Sequence, residues 1–500
     1  MAGPEFDLDE YVKQADYHQQ LTGTEEPAAE RRGLSRRDLL VKGGVGAVGL
    51  AGLGSIGAAA AAAATAKSGK FTGTLNVLSL GVEWPQGVQQ QAEKDLGFKF
   101  KVTLASSVAQ VQKAITAPES FDIFGGYNYQ FFQIWPSGNM LPIDTTKINA
   151  WPKLYTLFAN GKLNPSSKQC TYGDGDAPFR ATFLDIDGST GLPLTKEGPA
   201  SNKQIVQWID EKTGKPYPGK PMPRYVIGPT AHFNMDSMGY NGDVIKKAPG
   251  QVSWANLLNK TYAGRVAVIG DPGIGMQDLG MAVKALGLMK FKDLGNMTRA
   301  EMDKLMKILS TYKKAGQFRA FWATFNESVN LMASKEVVIE SMWSPAVALL
   351  VAQGVNVRYA APKEGFRGWS SAQGISAKVT DPAKLQACYD YLNWMYDGYL
   401  GAAIMRQGYY IGNGNDLLPW IKSAKGKALG FSSDEYDFWY GGKAAARDLP
   451  GIQGKVGDVK KGQVRDGGSF ATRACHYATW NSYFRENVYQ LKRWNQFLSS

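Results

Sequence analysis

Cysteine and histidine are nearly absent from this chain, with three of each among 500 residues. Cys170, Cys388 and Cys475 show no metal-ligand spacing and no CxxC occurs, which argues against a zinc centre or a CxxC redox site. HExxH, GxSxG, a P-loop and a GxGxxG following a strand are also missing. Carboxylate pairs exist, but no spacing marks one out as a general acid/base dyad. His232 and His476 read as hydrogen-bonded structural residues. The expectation is no enzyme, no cofactor and no metal. Dense runs of positive charge are lacking too. Residues 1–66 hold six of the 56 Lys and Arg and nine of the 44 acids, leaving 50 basic and 35 acidic residues and a formal +15 on the remainder. That charge is scattered, with no basic stripe or nucleic-acid motif, so no nucleic-acid partner is expected.

What is present is ample material for packed cores, at 44% hydrophobic and 12% aromatic residues. Five hundred residues exceed what one core usually spans, so two or more domains are expected. Cys388 falls in a helical pattern, 385–392, and reads as a buried thiol. Cys170 and Cys475 could pair in an oxidising compartment.

The first thirty or so residues are polar and acidic and show no apolar periodicity. Ser35-Arg36-Arg37-Asp38-Leu39-Leu40 then leads into a Gly/Ala-rich run over 43–66. Twin arginines ahead of a weakly hydrophobic run resemble a twin-arginine export signal, and Ala64-Thr65-Ala66 supplies a small-x-small cleavage pattern. A membrane anchor is the competing reading, disfavoured by the low hydrophobicity of Gly and Ala. No cysteine lies nearby for a lipid anchor. A soluble mature protein beginning near Lys67, exported to the periplasm by the Tat machinery, is the expectation.

From Gly73 the order is strand, loop, helix, strand, the doubly wound α/β signature. Ligands in such sheets bind at the carboxyl ends of strands. Glu83-Trp84 and Tyr127-Asn128-Tyr129 sit at two such ends. Residues 163–224 break the rhythm with Gly, Pro, Asp and Lys. Turn-like runs at 185–191 and 210–215 read as hairpin turns rather than a calcium loop, whose terminal acid is missing. In 225–271, Val226-Ile227 and Met238-Gly239-Tyr240 read as two short apolar runs, Asn241-Gly242 as a turn and Ser253 as an N-cap. Arg265-Val266-Ala267-Val268-Ile269 reads as a strand ending near Asp271. Helices are expected over 280–311 and 381–398, and an aromatic-rich one over 477–498 on the second lobe.

The stretch MGYNGDVI…VSWANLLNKTYAGRVAVIGDP resembles the crossover segment of the spermidine/putrescine-binding family of periplasmic ABC-transporter solute-binding proteins. Ser334-Lys335-Glu336-Val337 through Trp343, Pro362-Lys363-Glu364-Gly365, Trp369, and Gly408-Tyr409 through Asn413 resemble further family patterns. The resemblance covers nearly all of 74–160 and 225–500. It implies an α/β, two-lobed periplasmic-binding-protein fold, type II-like, with a ligand cleft between lobes joined by a hinge. Lobe 1 would comprise 67–230 plus 370–412, with 163–224 as an insertion, and lobe 2 would comprise 231–369 plus 413–500. The implied function is the substrate-binding component of an ABC importer that delivers a small polar solute, a polyamine, to its permease.

A polyamine calls for carboxylates at its ends and aromatic faces along its stem. The implied aromatic box falls on Trp84, Tyr129, Trp343 and Trp369, with Tyr127 beside it. Where the family has Trp-x-Asp this chain has Trp369-Ser370-Ser371, and two family carboxylates fall on Pro272 and Gly275. Glu83, Asp236, Asp271 and Asp278 are the acids that could stand in. Arg224, Arg367 and Arg406 would instead suit an anionic solute such as a carboxylate or phosphonate. The rival from another class is a Tat-exported enzyme, which predicts a cofactor site.

Overall fold

The computed structural model describes residues 7–23, 71–184 and 224–500. The export-signal features at 35–66, the start near Lys67 and the turns at 185–191 and 210–215 lie outside them. Among the described residues no helix is long and apolar enough to cross a membrane.

Three parallel strands open the first lobe: β1 (Thr74–Ser79) lies between β2 (Lys99–Leu104) and β3 (Ile123–Tyr127). Between them run α1's successors in the chain, α2 (Val88–Leu96) and α3 (Ser107–Thr116), with α4 (Asn128–Ile134) after β3; α1 itself is Leu8–Thr22. A short pair, β4 (Ile143–Asp144) with β6 (Tyr225–Val226), and β5 (Thr171–Asp174) follow. The chain crosses to the second lobe on β7 (Thr230–Asn241). There β8 (Val266–Ile269), β9 (Phe318–Trp322) and β10 (Ile339–Met342) form the parallel order β10-β8-β9, and β11 (Val357–Tyr359) pairs with β7. It returns on β12 (Phe366–Ile375), antiparallel to both β7 and β3. The sheet therefore runs β2-β1-β3-β12-β7-β10-β8-β9, a parallel triplet on each side of two antiparallel crossover strands.

Helices cover each triplet. Those on lobe 2 are α5 (Pro272–Ala285), α6 (Arg299–Lys314), α7 (Phe325–Ala333) and α8 (Ser344–Ala352). On lobe 1, α9 (Pro382–Trp394) and α10 (Tyr399–Met405) pack by α2. After α10, β13 (Tyr410–Ile411) pairs with β7, and β14 (Leu449–Pro450) with β15 (Val456–Val459). Then β16 (His476–Trp480) joins β12 and β5, and α11 (Asn487–Ser499) closes the chain on α5 and α6.

Several expectations change. The two short runs at 226–227 and 238–240 lie at either end of a segment that includes one twelve-residue strand, β7, buried throughout. Its His232, Asn234, Asp236 and Ser237 bond to other buried side chains or backbone, so a polar sequence hides a central strand. The expected helix over 477–498 is a strand followed by a helix. Residues 416–425 pack on lobe 1 through Asp416–Lys153 at 3.0 Å and Lys425–Asp95 at 3.3 Å, not on lobe 2. The described end of the insertion is tied in: β5 pairs with β16, and Cys170–Cys475 form a disulfide with Cα atoms 4.7 Å apart. Cys388 is free and buried, as its helical setting predicts.

The acidic N-terminal region, expected to lack periodicity, forms α1. Asp7 caps its start and Gly23, at φ +67°, ends it. Tyr11, Ala15, His18 and Gln19 recur at helical spacing and are buried. Two of those four are polar, which is why an apolar pattern is not visible. Lys335 adopts φ +63°, following α7 in the left-handed conformation that glycine adopts without steric penalty.

Candidate functional site

The six parallel strands end in loops that face one another across the crossover strands. Residues 80–82 follow β1, 104–109 follow β2 and Tyr127 ends β3; residues 269–271 end β8, 323–326 follow β9 and Trp343 follows β10. Together they line a cavity of about 730 Å³ between the lobes. This is where an α/β sheet presents ligand-binding loops. A similar volume, about 780 Å³, opens within lobe 1 between α2, α9 and 416–425. Its Asp95 and Asp416 are already paired with Lys425 and Lys153, and it touches no parallel-strand end of lobe 2. The cavity between the lobes is therefore the candidate site.

Its wall is mostly apolar. Leu80, Val82, Leu104, Ile269, Ile274, Phe325 and Trp343 supply carbon surface, and Ser106, Thr324, Asn326 and Gln407 supply neutral polar groups. Asp271 is the one carboxylate, and no Lys or Arg lines it among the described residues. Gln407 is buried, and its Nε2 has no hydrogen-bond partner among the described residues. A buried unpaired amide costs free energy unless something fills its bond.

Asp271 also joins the lobes. Its carboxylate caps α5 by accepting from the Ile274 backbone N–H at 2.9 Å. From lobe 1 it accepts the Ser107 hydroxyl, and the Tyr129 hydroxyl lies 3.3 Å from both oxygens. Burial, reinforced by the Asp271 charge, holds the Tyr127 and Tyr129 phenols well above their usual range, so both stay protonated. Tyr129 rests against Phe484 at 5.0 Å between ring centroids. A Cβ on Gly273 would stand 2.9 Å from the Tyr129 ring, so the glycine permits this approach. One end of the interlobe space is shut by these contacts and the other holds the cavity.

Of the site residues expected from sequence, Tyr127, Asp271 and Trp343 line the cavity, and Tyr129 closes its end. The other five lie elsewhere. Trp84 packs inside lobe 1 against Phe100 and Tyr391, at 5.5 and 5.7 Å. Glu83 is buried beneath Gly125, accepting from Ser79 Oγ at 2.6 Å and Gln373 Nε2 at 2.7 Å. Burial pushes its carboxyl up to about 7. Ser371 meets His232 at 2.9 Å, and burial drives that imidazole down to about 3, so it is neutral.

Trp369 donates its indole N–H to Asp236 at 2.5 Å, and Asp236 also accepts from Tyr359 and Asn234. Both sit in the crossover strands behind the cleft rather than at its wall. Asp278, another acid considered, pairs with Arg367 at 2.7 Å and accepts from Ser341. The arginines suited to an anion are all engaged: Arg224 with Asp144, Arg367 with Asp278 and Arg406 with Glu435. Pro272 and Gly275, aligned with family carboxylates, lie in the first turn of α5. The Trp494 ring approaches Gly275 so closely that a Cβ would stand 2.7 Å from it.

Sequence reasoning missed Phe325, Gln407 and the serines at 106–107. Ser106 carried a signal, since it caps α3 at a strand end. Gln407 carried none, because only tertiary burial leaves its amide unpaired.

Residues 88–413 match the family of bacterial extracellular solute-binding proteins, and the chain belongs to that family. Similar solved structures include a putative spermidine/putrescine ABC transporter from Listeria monocytogenes, 16% identical, covering 66% of this chain and 80% of the other at a TM-score of 0.44. The spermidine/putrescine substrate-binding protein PotD from Streptococcus pneumoniae is 15% identical, covering 79% and 93% at 0.45. The Tp0655 lipoprotein of Treponema pallidum is 11% identical, covering 70% and 89% at 0.47. No curated protein matches the chain.

Proposed function

We propose that the solute is a cation with an apolar body, and that a polyamine such as putrescine or spermidine, implied by the family resemblance, is the first candidate. The observation that carries this reading is the charge of the wall: Asp271 is its one charged side chain among the described residues, while the three arginines suited to an anion are paired elsewhere. An ammonium at Asp271 gains a charge-assisted bond, and methylenes gain the faces of Trp343 and Phe325. The far ammonium meets a neutral acceptor, the side-chain oxygen of Asn326. Closure of the lobes around the solute forms the surface offered to a membrane permease.

Export through the twin-arginine machinery, in soluble form without a lipid anchor, belongs to the same reading. It is supported by Arg36-Arg37 ahead of the Gly/Ala run, and by the Cys170–Cys475 disulfide, which suits an oxidising periplasm. A binding role is supported by the family that the chain belongs to.

The test is a thermal-shift and calorimetric comparison of the full chain with putrescine, spermidine, a monoamine, a dicarboxylate and a phosphonate. A solute at about a hundred times its dissociation constant adds roughly 2.7 kcal/mol of stability. The cations should shift the melt by a few degrees. Asp271→Asn, which keeps an oxygen for the α5 cap, should weaken them at least about tenfold, roughly 1.4 kcal/mol. A shift with anions alone, indifferent to Asp271→Asn, would discard the cationic solute.

A further inference from the structure

The segment ahead of the twin arginines is built into the receptor. α1 lies in the seam between α3, which belongs to lobe 1, and α11, which packs on lobe 2. Toward lobe 1, Gln19 Nε2 donates to Gln112 Oε1 at 2.5 Å, and Gln112 Nε2 donates back to Asp16 at 2.7 Å. Toward α11, Asn495 Nδ2 donates to the Gln14 carbonyl at 2.8 Å. That bond fixes the Asn495 amide orientation, so Asn495 Oδ1 accepts from His18 Nδ1 at 2.8 Å and the His18 proton resides on Nδ1. Lys492 adds an ion pair to Glu10 at 3.4 Å.

Between these polar borders Tyr11 and Ala15 are buried in one apolar cluster with Val108 and Val111 of α3 and Leu491 of α11. Tyr11 reaches the closed end of the cleft, beside Ser107, Tyr129 and Asp271. At the other end of the helix, His18, Thr22 and Gly23 form part of the cavity wall itself. A fifteen-residue helix is marginal alone in water, so this docking is what keeps it formed.

We propose that the seam between α3 and α11 is a helix-binding surface whose partner is the chain's own residues 8–22, and that the docked helix straps the two lobes together along one side of the solute cleft. Opening the lobes parts α3 from α11, so α1 must release at least one of them first. Removal of the export-signal region at the small-x-small pattern 64–66 would remove the strap along with it. The receptor would then be held shut until that processing and free to open afterwards.

The test uses the full chain without solute, so its outcome is independent of the ligand reading. Lys94→Cys on α2 and Lys307→Cys on α6 carry spin labels on opposite lobes; the native cysteines are disulfide-bonded or buried. Hydrogen exchange on the same protein reports whether α1 is docked. The parent chain should show slow exchange across 8–22 and one narrow interlobe distance. Ala15→Glu, placing a charge at a fully buried position, should release α1 and lengthen or broaden that distance. Gln14→Pro breaks α1 alone and serves if Ala15→Glu impairs folding. Fast exchange of 8–22 in the parent overturns the proposal. So does release of α1 in Gln14→Pro with the interlobe distance unchanged.

Discussion

Among the joints between the lobes, the crossover strands and the docked helix α1 differ in kind. Behind the cleft the crossover strands β7 and β12 lie side by side in one sheet, with a dense polar network among buried side chains. Trp369, Tyr359 and Asn234 all donate to Asp236, Arg367 pairs with Asp278, and Arg473 donates to the Met235 carbonyl at 2.5 Å. Along the side of the cleft, α1 touches α3 and α11 through a few apolar side chains and a border of amide bonds. The first joint cannot part without unfolding. The second is made of contacts that can form and break while both lobes stay folded. A receptor that opens and closes needs both kinds: a hinge of low tolerance and a seam of moderate strength.

The contrast breaks most visibly at Arg367. Arg367→Ala leaves the fully buried Asp278 without its counter-charge, and removal of one partner of such a pair costs about 3 to 5 kcal/mol. Denaturant unfolding should show that loss as a global destabilisation, with the whole cooperative transition moving. A loss below about 1 kcal/mol would mean the crossover network is not the rigid joint.

Glu83 sharpens the picture from the flank of the hinge, where Ser79, Gln373 and Ser371 are its polar neighbours. Burial raises its folded value to about 7 from an ordinary 4.5. The folded protein therefore holds this proton more tightly than the unfolded chain. Its contribution to stability is fully present below pH 4.5, declines as pH rises, and levels off above about 7. Glu83→Gln should remove that decline, so its stability relative to the parent should grow by up to roughly 3 kcal/mol between those limits. Parallel curves for the two proteins across this range would show that Glu83 titrates normally.

The smallest effect belongs to the seam. Asn495→Ala removes the bonds to His18 and to the Gln14 carbonyl. It should weaken α1 docking by about 1 kcal/mol. Hydrogen exchange should speed up over 8–22 while the global melt barely moves. If the melt falls as far as in Arg367→Ala, the two joints are not distinct.

Much of the architecture was legible in the sequence. Strand–helix alternation from Gly73, the strand within 265–269 and the cap Ser253 rest on local pattern and appear in the structure, and the pairing of Cys170 with Cys475, left open by the sequence, is formed. The candidate site was half legible. Tyr127, Asp271 and Trp343 follow strands whose carboxyl ends face the cleft, and that rule is local. Trp369 and Asp236 satisfy the same composition, yet each is consumed by the other across 133 positions of chain. Glu83 sits after a strand as Tyr127 does, but it turns under Gly125, where the missing side chain leaves room for its carboxylate. Phe325 and Gln407 stand in segments with no binding signature of their own.

By itself the sequence determined local elements such as the strand over 266–269 and the capped turn at Ser253, because periodicity, caps and turn residues act over a few positions. It also determined that two distant cysteines were available to pair. The tertiary structure alone decided which polar side chains serve the hinge and which face the cleft, because partners far apart in the chain satisfy the former. It alone decided that an acidic N-terminal stretch is a docked helix. Tyr11, Ala15, His18 and Gln19 become one buried face only when α3 and α11 supply the apolar surface and the amides that meet it.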